Sequence, residues 1–369
     1  MQYIKIQRGD ITVGDKLPWT VYDGSGKLLL QEGYTVKTEK LLEGLLAAGH
    51  YAAEVDETSN LIVRTTFSTI HDIQGKLSDV LNRFSLGIER ESSKVVLSHY
   101  IAQIVELCDL NPDAMIASVH LFSERPYSIT HSIHMAILSA LLSQQVTARK
   151  INQASMIGAA LTCNVAMLKL QDMLEEQLAP LSQEQEKEIH EHPVVSVGML
   201  KSYGISDRTW LDTVRYHHEA VNGTGYPMAC SANRIPLEAK ILACIDYYSA
   251  KVTSRSGRKA LEPPEALRTI FIEKGKTIDD ELALQFIRMM GIYPPGTFVL
   301  LKNGDRAIVV RRPESGSQKM HPIVCSYKDS EGQPYDEPVF YDSSLPQYKI
   351  EKICRREKLP FDYDRLWAV

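Results

Sequence analysis

His217-His218-Glu219-Ala220-Val221-Asn222-Gly223-Thr224-Gly225-Tyr226-Pro227 is the stretch on which the reading of this 369-residue chain turns. Two adjacent histidines end an apolar helical stretch, and a glycine-rich turn follows at once. A helix end running into such a turn makes a rim, because glycine permits positive backbone dihedrals and close approach of a ligand while proline fixes the exit. As backbone alone, Asn-Gly-Thr-Gly also serves as a tight connection with no chemistry. The flanking histidines weigh toward a site.

Seven of the eleven histidines fall in one window: His120, His131, His134, His190, His192, His217 and His218. Neutral imidazole is the commonest metal ligand, and an acid such as Asp246 would complete the coordination or fix a ring tautomer. Any one of these histidines alone is more simply a satisfied core or surface residue. Their concentration calls for a shared reason.

From about Thr65 to Met290 the pattern is helical, with Ile70, Ile73, Leu77, Val80 and Leu81 on one stripe and Ile101, Ile104, Val105 and Leu107 on another. Asn111-Pro112-Asp113 opens a helix, since Asn caps free amides and proline is tolerated in the first turn. Before residue 64 the text reads as a small mixed module. It has strands at Tyr3 to Ile6 and Leu17 to Tyr22, a hairpin around Asp23-Gly24-Ser25-Gly26 leading into Lys27 to Leu30, and a helix over Thr38 to Ala48. After Tyr293-Pro294-Pro295-Gly296, Thr297 to Leu301, Ala307 to Arg311 and Pro322 to Tyr327 read as strands. The expected organisation is a β-rich module over 1–64, a helical connector over 65–125, a helical domain over 126–292 and a β-rich extension over 293–369.

Composition restricts the partners. A net charge of -5 gives no general pull toward nucleic acid or an anionic membrane, so any nucleotide site must be local. Cys108, Cys163, Cys230, Cys244, Cys325 and Cys354 form no CxxC pair, which predicts reduced thiols in a cytoplasm. No apolar run approaches the roughly 20 residues of a membrane-spanning helix, and membrane insertion is not expected.

His-His-Glu followed by Asn-Gly-Thr-Gly-Tyr-Pro resembles the signature of HD-GYP domains, a subgroup of the all-helical HD superfamily whose active members hydrolyse cyclic di-GMP at two or three metal ions. The likeness runs from about Asn111 to Gly296. Tyr127-Ser-Ile-Thr-His131-Ser resembles the segment of the family's first metal histidine, and Leu181-Ser182-Gln183-Glu184 leading to His192-Pro193 resembles that of its middle one. Ile241 to Ala250 resembles the segment bearing the last metal aspartate, here Asp246, and Arg255 and Arg258 stand where the family keeps basic residues near substrate phosphates. The fold implied is mainly α: a helical HD-superfamily core with a small mixed α/β amino-terminal module and a β-rich carboxy-terminal tail.

The pattern breaks at its eponymous doublet. Where the family has a segment resembling Leu-His-Asp-Ile-Gly-Lys, this chain has Leu161-Thr162-Cys163-Asn164-Val165-Ala166. The family's aspartate bridges two ions, and a shared oxygen holds them close enough to activate one water jointly. Thr162 is a poor ligand, Cys163 a soft donor in place of a hard carboxylate, and Ala166 is uncharged. By the family's assignment His131 and Asp246 belong to one ion and His192, His217 and His218 to the other, which leaves room for one divalent ion (iron, manganese or zinc) or for none. Two expectations follow. The first is a catalytically impaired regulator in bacterial cyclic di-GMP signalling that senses the dinucleotide, with Arg255, Arg258, Tyr226 and Gly225 at the substrate, or docks a diguanylate cyclase or another signalling protein through the Gly-Tyr-Pro loop. The alternative is a metal-dependent cyclic di-GMP phosphodiesterase running on the remaining histidines.

Overall fold

The computed structural model describes residues 2–6, 11–17, 20–23, 28–31, 33–48, 50–53, 66–88, 91–123, 126–146, 151–254, 259–313 and 321–367. The chain divides after Val63 into two compact units. In the first, strands β1 (Gln2–Lys5), β2 (Val21–Tyr22), β3 (Leu28–Leu30) and β4 (His50–Ala53) form an antiparallel sheet in the order β1-β4-β2-β3. Helix α1 (Glu39–Ala48) precedes β4 and sets Leu45 among Ile6, Ile11, Leu17, Val21 and Val36. β2 and β3 pair as the expected hairpin, while residues 24–27 of its turn lie outside the described residues. The strand expected from Leu17 is shorter than its sequence suggests. Leu17 is buried, and its backbone bonds with Tyr34 and Gly33 rather than continuing the β2 ladder.

The second unit is helical, as the periodicity predicts. It contains α2 (Thr66–Ser85), α3 (Glu91–Leu110), α4 (Pro112–Leu121), α5 (Tyr127–Gln145), α6 (Gln153–Thr162), α7 (Leu168–Glu176), α8 (Gln183–Ser202), α9 (Arg208–Tyr216), α10 (Leu237–Val252), α11 (Pro263–Glu273) and α12 (Asp280–Met290). Local chemistry sets the ends. The Asn111 side chain accepts from Ala114 N–H to open α4, Ser182 and Gln185 cap α8 reciprocally, and Asp207 accepts from Trp210 N–H to open α9. α5 is buried from Tyr127 to Ser143, the condition of a helix surrounded by others, and it packs against α3, α4, α6, α7 and α10. His131 and His134 are therefore held away from bulk water.

The carboxy-terminal part adds an antiparallel sheet of β5 (Phe298–Leu301), β6 (Arg306–Arg311), β7 (Ile323–Lys328), β8 (Pro334–Asp342) and β9 (Ile350–Ile353) in the order β8-β7-β6-β5-β9. Alternation divides its faces: Phe298, Ile308, Cys325 and Tyr327 pack with Ala114, Ala117 and Trp367, whereas Val299, Ala307, Val309 and Val324 form a separate cluster. The Arg356 guanidinium donates to the His120 and Leu121 carbonyls, which end α4 without helical partners, and so ties the extension to the helices.

Candidate metal centre

Four helices bring the cluster together. α5 supplies His131, α8 supplies His192, the end of α9 supplies His217 and His218, and α10 supplies Asp246 and Ser249. Local backbone sets the ring orientations of His192 and His217. Pro193 lacks an N–H, so the Ile189 carbonyl one turn earlier has no helical donor; His192 Nδ1–H fills that role at 2.6 Å. α9 ends at Tyr216, leaving the Val214 carbonyl unpaired within the helix, and His217 Nδ1–H donates to it at 2.7 Å.

A carbonyl can only accept, so both rings carry their proton on Nδ1 and present a lone pair at Nε2. The two Nε2 atoms lie 3.3 Å apart. Burial, followed by the neighbouring histidines, pulls both pKa values down to about 3, so neither ring carries a second proton at neutral pH to join the pair. Two buried lone pairs facing each other suit a shared cation. His192, His217 and His218 place one donor atom each within 4.8 Å of one another. This geometry fits a divalent ion bound by neutral imidazoles, with His192 and His217 each oriented by a hydrogen bond from the other ring nitrogen.

His131 is arranged differently. Its Nε2 lies 2.8 Å from Asp246 Oδ1, and its Nδ1 faces the Ser249 hydroxyl at 3.2 Å and the Tyr127 hydroxyl at 3.4 Å. The Tyr127 ring stacks on the imidazole at 5.4 Å between centroids. Burial alone would raise the Asp246 pKa, but the His131 hydrogen bond and the charges of His218 and His131 outweigh it and hold the carboxyl well below its usual range. The other carboxylate oxygen, Oδ2, lies 3.8 Å from His218 Nδ1.

The stretch that replaces the doublet is packed into the core. Thr162 Oγ1 donates to the Gly158 carbonyl at 2.7 Å and accepts from Trp210 Nε1–H at 2.9 Å. Burial, then the Asp246 charge, pushes the Cys163 thiol well above its ordinary range, and the thiol donates to the Ala160 carbonyl. Thr162 and Cys163 are both fully buried. Neither presents an ionised group.

The Gly-Tyr-Pro loop folds back over the histidines. Tyr226 N–H donates to the His218 carbonyl at 3.1 Å, and the ring stacks on His218 at 4.7 Å. A Cβ on Gly225 would fall 2.3 Å from the Ala220 nitrogen, so the loop admits only glycine there. Glu219, quoted in the motif but given no role from sequence, anchors the turn by accepting from Met228 N–H at 2.7 Å and Cys230 N–H at 2.8 Å. Trp210 was missed, and Tyr127 was quoted in the His131 segment without a role, although its place four residues before His131 on α5 was the available cue. His120 is apart from the cluster, bonded to the Pro295 carbonyl and the Tyr248 hydroxyl, and His190 caps the Glu186 carbonyl on the exposed side of α8. His134 is fully buried on α5, apart from the cluster's ring contacts. Arg255 and Arg258, the expected phosphate ligands, lie outside the described residues.

Residues 114–282 match the HD domain family. A cyclic di-GMP phosphodiesterase of Pseudomonas aeruginosa is 26% identical over 204 residues, covering 55% of this chain and 49% of that protein. A second cyclic di-GMP phosphodiesterase, from Borreliella burgdorferi, is 23% identical over 189 residues, covering 51% and 50% respectively. A 3'3'-cGAMP-specific phosphodiesterase of Vibrio cholerae is 22% identical over 185 residues, covering 50% and 40%. The chain spans about half the length, or less, of these curated relatives. A solved HDG"Y"P protein from Bdellovibrio bacteriovorus superposes with a TM-score of 0.52 at 16% identity, over 78% of this chain and 99% of that one, a likeness of fold. None of the described helices is long and apolar enough to cross a membrane. Residues 114–282 thus resemble an HD domain, and the three curated relatives above are named as cyclic-dinucleotide phosphodiesterases.

Proposed function

We propose that this chain serves cyclic di-GMP signalling as a binder and regulator, holding one divalent ion and a cyclic dinucleotide at the histidine cluster without hydrolysing it efficiently. The observation that carries the reading is the packing of Thr162 and Cys163, whose polar atoms are committed to Trp210 and to helix carbonyls where a bridging carboxylate would be needed. His192, His217 and His218 would hold the ion. Bound there it supplies positive charge to a phosphate oxygen, but a single ion lacks the joint activation of water that a bridged pair provides. Phosphodiester hydrolysis is otherwise extremely slow, so losing that activation removes most of the rate enhancement. Arg255 and Arg258 are proposed to reach the phosphates, and the rim of the Gly-Tyr-Pro loop to meet a partner such as a diguanylate cyclase. In that docking Met228, 52% exposed, faces outward, while Tyr226 is spent largely on the histidines.

The test is anaerobic incubation of the protein with cyclic di-GMP and added iron or manganese, with chromatography for linear dinucleotide and GMP, beside equilibrium dialysis of the labelled dinucleotide. Binding without product supports the proposal. Metal-dependent product that vanishes in His217→Ala overturns it in favour of the second reading, a phosphodiesterase running on one ion. That second reading draws on the preset Nε2 lone pairs of His192 and His217, which need no rearrangement to take a metal.

A further inference from the structure

The proposed function leaves open how many ions the cluster holds and what His131 does, since the family assignment makes His131 a ligand of a second ion. The hydrogen bonds around its ring separate it from the other histidines. His192 and His217 meet carbonyls at Nδ1, which only accept, so their Nε2 atoms are free to donate electrons. His131 meets hydroxyls at Nδ1. Ser249 is fully buried, and its described hydrogen-bond partner is His131 Nδ1 at 3.2 Å, so its hydroxyl proton has an acceptor only if that nitrogen is unprotonated. A buried O–H left without an acceptor is costly, and an unprotonated Nδ1 puts the ring proton on Nε2. That proton then points at Asp246 Oδ1, 2.8 Å away, which is the donor the buried carboxylate requires. A protonated Nε2 has no lone pair for a metal.

Resting on the reading of the cluster as a metal site, we propose that the chain binds a single ion on His192, His217 and His218, and that His131 is a positioning residue. It is fixed by Ser249 and Tyr127, and it hydrogen-bonds Asp246 so that Oδ2 is turned toward His218 and the ion. The sequence order agrees with this division of labour. Tyr127 precedes His131 by four on α5, and Ser249 follows Asp246 by three on α10, so each hydroxyl shares a helix face with one member of the His131–Asp246 pair. The chain that lost the bridging aspartate thus also carries neutral hydroxyl residues around His131, and the former ligand pair is closed on itself by a hydrogen bond.

Cobalt(II) titration followed by visible absorption and elemental analysis tests this without reference to turnover. The expected stoichiometry is one cobalt per chain. His131→Leu should weaken cobalt binding by roughly 10- to 100-fold while preserving one ion, the range seen when a residue orienting a ligand is removed. His131→Gln places an amide N–H near the position of Nε2–H and should recover most of the affinity. Zinc-loaded protein labelled with 15N-histidine gives a reading that needs no folded variant, and it should show His131 as the Nε2–H tautomer, opposite to His192 and His217. Two cobalt ions per chain, a zinc-bound Nε2 on His131, or a Gln variant as impaired as the Leu variant each overturns the proposal while leaving the metal site itself standing. No cobalt binding by the unaltered chain overturns the metal site and this inference with it.

Discussion

Replacing Glu219 by Gln, a change of one atom in a side chain of the same shape, should cost stability out of proportion to its size. The side chain is 3% exposed, and its two oxygens accept from different backbone donors, Oε1 from Met228 N–H and Oε2 from Cys230 N–H. A glutamine keeps one acceptor and turns an NH2 toward the other N–H, so one bond is lost and two donors face each other. A hydrogen bond to a charged group is worth about 1.5–3 kcal/mol net, and that is the expected loss for Glu219→Gln. Glu219→Ala strips both acceptors. Cys230 N–H is buried and Met228 N–H is half-buried, so the second loss is partly made good by water and the total falls at about 2–5 kcal/mol. Urea unfolding followed by circular dichroism measures both, with an unchanged slope as the condition for comparison. A Gln variant within about 0.5 kcal/mol of the unaltered protein, the range of an ordinary surface substitution, would refute the argument that the carboxylate anchors the loop. The same loop is tied to the metal centre through Tyr226 N–H and the His218 carbonyl, so cobalt affinity should fall with stability in this variant.

Gly158→Ala should destabilise by about 1–3 kcal/mol through overpacking, because the added Cβ would lie 2.4 Å from the Trp210 ring; an unchanged melting temperature would show that Trp210 can move aside freely. Cys163→Ser should leave cobalt stoichiometry unaltered and remove no charge-transfer band, since the buried thiol stays protonated; a sulfur-to-metal band in the unaltered protein would place Cys163 on the ion. Burial of Glu357 would raise its pKa, but hydrogen bonds from Lys328, Arg306 and Tyr327 prevail and lower it from 4.5 to about 2. A lowered carboxyl contributes stability above its unfolded pKa and loses it as pH falls through the folded one. The stability difference between the unaltered chain and Glu357→Gln should therefore be full above pH 4.5 and shrink toward pH 2, by a total on the order of 1 kcal/mol once solvent screening of this partly exposed network is allowed for; a difference independent of pH across that window counts against the network.

The helical core was legible because periodicity and caps agree at each end: Asn111 before Pro112 and Ser182 with Gln185 mark helix starts with their own side chains. The last two strands were not. β8 carries Pro334, Pro338, Asp336 and Glu337 and is exposed or half-exposed throughout, so it lacks the alternation that a half-buried strand writes into sequence. β9 is a short edge strand in which Glu351 and Lys352 stand side by side. In the site, the residues themselves could be read from the motif, but their division could not. Whether a histidine offers a lone pair or a proton depends on what its far nitrogen meets, and Ser249 and Tyr127 come to His131 from two different helices. For His192 alone the cue was local, since the following proline frees the carbonyl that fixes its tautomer.

The two preset histidines beside the buried Thr162-Cys163 pair have an energetic consequence. If the site were only a relic packed for stability, the buried Nε2 atoms of His192 and His217 would be expected to find donors, because a buried acceptor without a partner costs about 1–3 kcal/mol. They face each other at 3.3 Å instead, while the replaced residues around them, Thr162, Cys163 and Ser249, have their hydrogen bonds made. Hydrogen bonding is therefore made at those three residues, though not at the buried Asn164 Oδ1, and it is missing between the two facing rings. An ion shared by the two lone pairs removes the penalty, and a chain deprived of it should be less stable by a comparable amount. Melting temperatures measured with zinc and after exhaustive chelation should thus differ in the unaltered protein and converge in His192→Phe, where a lone pair and its cost are both gone. Equal melting temperatures with and without zinc in the unaltered protein would show that the facing lone pairs are tolerated without a cation, and the metal assignment would lose its physical basis.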